Sequence, residues 1–378
     1  MPRKRSKPSV DRHDDSGRQE PRKKLETILK WVGGITAILS LIFGVQRVIQ
    51  LVSEAGERQR QIAELYRVGK EQQDAGNYPA AWNSFEQALK DADEGGQIAK
   101  LTGRLDAERR RLRGAQEDLA MAWLENLSAP EGQAFSNVVD KLVPVLDRGA
   151  TSARGVRKAD LLAHIGWGYF LKERDAPGNL NPERYYRQAL EIDPGNPYAH
   201  AHWGHWLLWK EQNLEEATQH FAAAVASGRA RAYVRRIQLA ALGNVQSERA
   251  KEELLRAVND MRKNHEEIDA RTRSDVFSIY YFAFTDSTGF QRLTAAVPAS
   301  EQIAMIRALF YGADFDPSRI PSREAYLATL QEAAGSPDEA LKTWLAMRSR
   351  LPADTGGILV ARADAAIKRL SRRVTPPA

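Results

Sequence analysis

The sequence predicts an all-α protein built from consecutive helical hairpins. A spaced triplet recurs three times: a small residue, an aromatic residue four positions later, and an apolar residue three positions after that. The copies are Ala81/Phe85/Ala88, Ala217/Phe221/Ala224 and Ala340/Trp344/Met347. This spacing puts each triplet on one face of a helix. Alanine, leucine, arginine and glutamate dominate the composition, which is also typical of helical proteins.

The positive charge of the chain is concentrated at its N-terminus. The formal net charge is +6 over 378 residues, but residues 1–53 carry eleven Lys/Arg and five Asp/Glu. The remaining 44 basic residues are matched by 44 acidic ones. The body therefore has no overall field to attract a polyanion, and we expect no nucleic-acid partner. The absence of cysteine excludes disulfides, thiolate metal sites and cysteine nucleophiles.

An apolar segment follows the basic tail. Residues 31–45 contain no charged side chain, and the mostly apolar run extends over residues 28–52. Because Lys30 and Arg47 can reach toward lipid headgroups, we predict a single transmembrane helix at 28–52, after a basic disordered cytoplasmic tail at 1–27. Three alternatives are less favoured: a cleaved signal peptide, a helix buried in a soluble domain, and an amphipathic helix lying on a membrane surface.

The charges that flank this segment predict its orientation. Ten Lys/Arg lie on the N-terminal side through Lys30, whereas only Arg47, Arg58 and Arg60 follow closely. We therefore expect a single-pass protein of the cell (inner) membrane, with its N-terminus cytoplasmic near anionic lipid and its body extracytoplasmic. Four small residues share one face of the predicted span and would permit a homo-oligomer through this helix. They are Gly33, Ala37, Ser40 and Gly44.

The first hairpin resembles a tetratricopeptide repeat (TPR). The matching positions are Leu65, Val68, Gly69, Gly76, Tyr78, Ala81, Phe85 and Ala88. Further blocks of this kind follow: the best-formed spans residues 156–227, and the last is in register over more than thirty residues. The resemblance implies a right-handed α-solenoid of TPR-like helical hairpins. Together with the single transmembrane helix predicted before it, this describes a membrane-anchored TPR protein.

Residues 57–373 divide into five segments according to how closely each matches the TPR motif. TPR-like hairpins are predicted at 57–94, at 156–264 and at 321–373, and the last of these includes a capping helix. Divergent helices without a clear repeat signature are predicted at 95–155 and 265–320. Pro144 is expected to kink or end a helix, and residues 175–182 are expected to form a long turn.

The resemblance also implies a binding groove. In TPR proteins the first helix of each hairpin lines a groove that takes extended peptides or partner helices. When the groove-lining positions of the family are transferred to residues 156–264, the predicted partner-binding residues are Asp160, Trp167, Phe170, Tyr198, His205, Leu208 and Trp209. For Trp167, Trp206 and Trp209 core packing is an equal alternative. The carboxylate clamp of some family members is absent, because its positions hold Ala163, Trp167, Ala201 and His205.

The sequence offers little support for an enzyme. It contains no GxSxG, no phosphate-binding glycine loop, no dinucleotide fingerprint and no HExxH. His202 and His205 share a helical face with metal-like spacing, but no carboxylate completes the set, so we expect no metal and no cofactor.

These features predict a membrane-anchored scaffold or adaptor that binds a protein or peptide partner through a TPR-like groove. The alternative is a cytoplasmic-facing, membrane-associated regulatory or sensor subunit that acts on a separate effector. A more distant alternative is a hydrolase with its site in residues 265–320.

Overall fold

The protein is all-α. The computed structural model describes residues 19–94, 104–127, 135–351 and 357–374, with side chains for most of them from Leu41 onward. Within these ranges every regular element is helical, which confirms the all-α class and is compatible with a solenoid. The helices are α1 Gln19–Asp74, α2 Tyr78–Asp93, α3 Arg104–Glu125, α4 Phe135–Ser152, α5 Gly155–Asp175, α6 Glu183–Ile192, α7 Pro197–Lys210, α8 Leu214–Ala226, α9 Arg231–Gly243, α10 Glu248–Lys263, α11 Ala270–Thr285, α12 Ser287–Ala296, α13 Ala299–Phe310, α14 Ile320–Ala333, α15 Pro337–Ser349 and α16 Ile358–Val374, with a 3₁₀ helix Pro317–Arg319 before α14.

The chain divides into two compact units, Met1–Leu119 and Ala120–Ala378. In the first unit α1 and α2 form an antiparallel hairpin. Gly76 adopts a left-handed φ of +75° in the turn, where a side chain would be strained. The Asn77 side chain then caps α2 by accepting a hydrogen bond from the Ala80 amide. The core of this unit comprises Ile62, Ala88, Ala92 and Leu112, with Leu65, Tyr66 and Leu89 packed against it.

Helix α1 continues without a break from Gln19 to Asp74, so its backbone includes the apolar segment 28–52. In the part of the chain that the structure describes, no helix combines the length and the apolar character that crossing a membrane requires. The predicted span lies mostly before Leu41, outside the residues with described side chains, and so do Gly33, Ala37 and Ser40. A Cβ added at Gly44 would meet no atom of the described residues within 4 Å. The membrane span and its self-association therefore stay predictions.

The second unit is a succession of helical hairpins. Each of α5, α7 and α14 packs against the helix that follows it, and α9 packs against both α8 and α10. Side chains cap the N-terminal ends of several helices in this unit, which satisfies amides that lack an intrahelical partner. Asn196 caps α7, Asn213 caps α8, Ser247 caps α10 and Asp269 caps α11. These caps mark where the turns end and the helices begin.

The residues of the three recurring triplets are all buried. Ala217, Phe221 and Ala224 are inaccessible on α8, and the corresponding residues of α2 and α15 are buried too. The triplets therefore form the inner face of the second helix in three hairpins, as the spacing predicts. The two segments without a repeat signature are also helical where described, as α3 and α4 and as α11 to α13.

Candidate partner-binding groove

Aromatic side chains from α5 and α7 form one continuous cluster in the second unit. The rings of Trp167 and Phe170 lie 4.9 Å apart, and Phe170 packs edge-on against Trp209 at 5.6 Å. Trp206 is buried and lies 5.5 Å from Trp209. His205 is within 5.4 Å of Trp167 and 5.0 Å of Phe170, measured between ring centroids. We call the side of α5, α7 and α9 that carries Trp167, His205 and Arg236 the groove face.

At the N-terminal end of α5 the groove face is polar. One oxygen of Asp160 accepts a hydrogen bond from Asn196 at 2.7 Å, and the other pairs with Arg229 at 2.7 Å. Tyr198 stands beside this network, half-buried, with its ring 4.6 Å from His164. Burial, with the nearby Glu125 carboxylate, raises the pKa of Tyr198 to about 12. These contacts join the starts of α5 and α7 to Arg229, in the turn before α9.

In the middle of the groove face, His202 connects three helices. Its ring stacks on Trp167 at 4.6 Å. Nδ1 donates to the Ala163 carbonyl at 3.2 Å, and Nε2 accepts from the Tyr233 hydroxyl at 2.6 Å. Burial, followed by the neighbouring His164, holds the pKa of His202 well below its ordinary value. His202 is therefore a neutral core residue, with both nitrogens occupied by structural hydrogen bonds.

The last turn of α3 lies against the same middle region. The indole nitrogen of Trp167 donates to the Leu124 carbonyl at 3.2 Å. His164 bonds the Glu125 carboxylate at 2.9 Å. Arg236 of α9 donates to the Glu125 carbonyl at 2.9 Å and to the Asn126 side chain at 3.0 Å. The chain itself therefore occupies this part of the groove face.

At the C-terminal end of α7 the groove face opens into a pocket of about 330 Å³. His205, Leu208 and Trp209 form one side of it, and the end of α9 with the loop before α10 forms the other. Its remaining lining residues are Gln212, Ala241, Asn244, Val245, Gln246 and Ser247. The pocket thus combines an aromatic and apolar wall with a rim of amide and hydroxyl groups.

Among the described residues, no hydrogen-bond partner is found for Nδ1 of His205, which lines this pocket. Its side chain is 7 % exposed, and its Nδ1 atom is buried without a hydrogen-bond partner. Burial, with a smaller contribution from Arg174, lowers the pKa of His205 to about 3. The imidazole is therefore neutral at physiological pH, and its buried Nδ1 atom is out of reach of a ligand in the pocket.

The structure distributes the seven predicted groove residues over the three regions. Asp160 and Tyr198 lie at the polar end, Trp167 and Phe170 in the middle, and the other three at the pocket. Trp167, Phe170, His205 and Leu208 are buried, whereas Trp209 keeps 37 % of its surface exposed. Trp209 is thus the predicted groove residue that offers the most surface to a partner.

Sequence reasoning missed the contribution of α3 and α9 to this face. Glu125, Tyr233 and Arg236 lie far from the predicted residues along the chain, and none belongs to a recurring motif. The repeat signature of the α9 segment is weak. Groove-lining positions could be predicted on α9 only by continuing the repeat spacing from α7. Among the described residues no group of three metal-ligating side chains converges.

Comparison with known proteins adds no further identification. The chain matches no known protein-family model, and no curated protein matches it. The resemblance to TPR proteins therefore stays a prediction that rests on the residues named above.

Proposed function

We propose that the protein is a membrane-anchored scaffold or adaptor that binds a peptide segment of a protein partner at the pocket of the groove face. The observation that carries the proposal is the meeting of His205, Leu208 and Trp209, all expected from the sequence, around a pocket of about 330 Å³. Such a volume lies at the lower end of the range for small-molecule sites and suits one or two side chains of a peptide.

The chemistry of the pocket suits a peptide with an apolar side chain. The exposed face of Trp209 supplies a rigid aromatic surface, which loses little conformational entropy on binding. The amides of Asn244 and Gln246 supply hydrogen bonds for a peptide backbone. No charged side chain lines the pocket, so charge pairing is not required of the partner.

The exposed part of α1 supports the membrane anchor. Large apolar side chains at seven positions there are between 46 and 70 % exposed: Leu41, Ile42, Phe43, Val45, Val48, Ile49 and Val52. Contiguous apolar surface of this kind is unfavourable in water and is typical of segments covered by lipid or by another protein. A bilayer that covers this band would anchor the chain in a membrane.

The experiment is a selection of random peptides displayed on phage against the full chain in lipid nanodiscs. We expect the selected peptides to share an apolar residue. In fluorescence polarisation with the synthetic peptides, Trp209→Ala should weaken binding about tenfold or more, as loss of an aromatic anchor does. His205→Phe keeps an aromatic ring in the pocket wall, so it should weaken binding less than Trp209→Ala does.

Tyr281→Ala is the matched control, because Tyr281 is an aromatic residue that is 54 % exposed on α11, away from the pocket. It should leave binding of the selected peptides unchanged. If the selected peptides bind the wild-type chain and Trp209→Ala equally well, the pocket is not their binding site and the proposal is wrong. Circular dichroism of each variant confirms that the helices remain.

A further inference from the structure

The last turn of α3 is held on the groove face by hydrogen bonds from side chains of α5 and α9. Trp167 donates to the Leu124 carbonyl at 3.2 Å, and Arg236 donates to the Glu125 carbonyl at 2.9 Å. The Arg236 guanidinium also reaches the Asn126 amide oxygen at 3.0 Å. Every donor in these contacts is separated from the turn by more than 40 residues of chain.

These donors supply the hydrogen-bond partners that the carbonyls at the C-terminal end of a helix lack. The last four carbonyls of an α-helix have no intrahelical partner, and the helix dipole puts partial negative charge there. A neutral indole N–H and a guanidinium at this end satisfy two carbonyls, and the guanidinium adds favourable electrostatics. The groove face therefore has hydrogen-bond donors placed to bind the C-terminal end of a helix.

An acidic side chain completes the recognition. His164 lies between two acceptors: its Nδ1 donates to the Asp160 carbonyl at 2.7 Å, and its Nε2 bonds the Glu125 carboxylate at 2.9 Å. Each ring nitrogen of His164 therefore faces an oxygen that can accept a hydrogen bond. The side chain of His164 is 1 % exposed and that of Glu125 is 20 % exposed, so this contact is largely shielded from solvent.

The docked turn remains accessible from one side. Glu125 and Asn126 form part of the border of a pocket of about 580 Å³, whose other walls include Tyr233, Arg236 and Leu239. Asn126 and Arg236 are exposed. A competing segment could therefore approach Arg236 and the docked turn through this pocket, whereas Trp167 and His164 become accessible only when the turn is displaced.

We propose that the middle of the groove face recognises a helix that ends in an acidic residue, and that residues 124–126 are the chain's own, displaceable occupant of this site. The partner that it fits is a helical segment with a glutamate or aspartate in its last turn. The inference extends the proposed function on the same face, but it rests on His164, Trp167 and Arg236 and not on the pocket at Trp209.

The test uses a labelled, amidated peptide of residues 112–127 and the full chain. The wild-type chain, whose site is occupied, should bind the peptide weakly. The isosteric variant Glu125→Gln, combined with Asn126→Ala, weakens the internal occupant and leaves the donors in place, so it should bind the peptide about tenfold more tightly. Adding Arg236→Ala to that variant should return the affinity to the wild-type value or below.

Two controls make the result specific. The same peptide with Glu125→Gln should lose the gain in affinity, because it lacks the carboxylate that His164 bonds. Trp209→Ala, which tests the other pocket, should leave binding of this peptide unchanged, so the two proposals can fail separately. Equal binding of the peptide by all chains, absence of binding, or tight binding that survives Arg236→Ala would each overturn the inference.

Hydrogen exchange in the full chain gives an answer that does not depend on the peptide. In the Glu125→Gln variant alone, the amides of residues 120–126 should exchange about tenfold faster than in the wild-type chain, while those of α7 should not change. Unchanged exchange at 120–126 would mean that the turn is a fixed part of the core, and the inference would be wrong.

Discussion

A Cβ atom added at Gly166 of α5 would lie 2.5 Å from Cε1 of Tyr186 on α6. The two helices approach so closely here that only hydrogen fits between the backbone and the ring. The same relationship recurs between Gly69 and Phe85, at 2.6 Å, in the hairpin of α1 and α2. In both hairpins an aromatic ring of the second helix fills the space that a glycine of the first helix leaves open.

Gly166→Ala should therefore destabilise the protein. The new methyl would contact Tyr186, which is fully buried, and the Pro182 carbonyl at 3.1 Å, so neither neighbour can move freely. Overpacking of this kind costs about 1–3 kcal/mol. The measurement is the free energy of unfolding from urea titration followed by circular dichroism.

Gly114→Ala is the matched control for that substitution. Gly114 lies inside α3, and a Cβ there would meet no atom within 4 Å. Since alanine favours a helix over glycine by about 1 kcal/mol, this variant should be slightly more stable than the wild-type chain. A Gly166→Ala variant as stable as the wild type would show that the α5–α6 contact is looser than described.

The hairpins are predictable because their signals are local. The spacing of Ala217, Phe221 and Ala224 is a helical periodicity, and all three are buried as that periodicity implies. The long turn expected at 175–182 is also found, between the end of α5 at Asp175 and the start of α6 at Glu183. Such features depend on neighbours within one or two turns of helix.

Features that depend on distant contacts are harder to predict. Helix α4 continues through Pro144 to Ser152, although proline removes a backbone donor at a cost of about 3 kcal/mol. Its buried face, with Val139, Leu142 and Leu146, packs on α5 and offsets that loss. The docking of Glu125 on the groove face likewise depends on residues far along the chain, and no local pattern indicates it.

Removing the Tyr233 hydroxyl should be costly. Tyr233→Phe deletes the donor to Nε2 of His202, which is fully buried and would be left without a partner. An unsatisfied buried acceptor costs about 1–3 kcal/mol. Tyr280→Phe is the control, because the buried Tyr280 hydroxyl has no hydrogen-bond partner among the described residues, and its removal should be neutral or stabilising. Equal losses in urea titrations of the two variants would contradict the assigned hydrogen bond.

Stability should fall as the pH is lowered from 7 toward 4. His205 has a pKa of about 3 in the folded chain, against an ordinary 6.5. The unfolded chain therefore binds the extra proton first, so the contribution of His205 is complete above pH 6.5 and declines as the pH falls through that value toward 3. One such group changes the free energy of unfolding by about 1.4 kcal/mol per pH unit within this window.

The check is the pH dependence of the free energy of unfolding in the variant His205→Leu. Removing the imidazole should make the slope between pH 6 and 4 smaller than that of the wild-type chain. Phe170→Leu alters the same cluster without removing an ionisable group, so it should lower stability by a similar amount at each pH. A His205→Leu slope identical to that of the wild type would exclude this contribution.

The apolar band of α1 should be needed for membrane association. Leu41, Val45 and Ile49 are all more than half exposed on this helix, and a charge in a bilayer core costs about 2.5–3.5 kcal/mol per residue. Replacing these three residues with glutamate should shift the chain from the membrane pellet to the supernatant after an alkaline wash of cells.

The matched control adds the same three charges further along α1, as Ser53→Glu, Gln59→Glu and Gln61→Glu, where the side chains are polar and exposed. This variant should stay in the pellet with the wild-type chain. If the glutamates in the apolar band also leave the chain in the pellet, the band does not hold it at the membrane.

The side of the membrane on which the groove face lies separates the proposed scaffold from the regulatory alternative. The ten Lys/Arg through Lys30 predict a cytoplasmic N-terminus, so a reporter that is active only outside the cytoplasm should work when fused after Ala378. Activity in intact cells would direct the search for the peptide partner to envelope proteins. An intact but silent fusion would put the groove face in the cytoplasm, where the Trp209 pocket would bind an effector of a membrane-associated regulatory subunit.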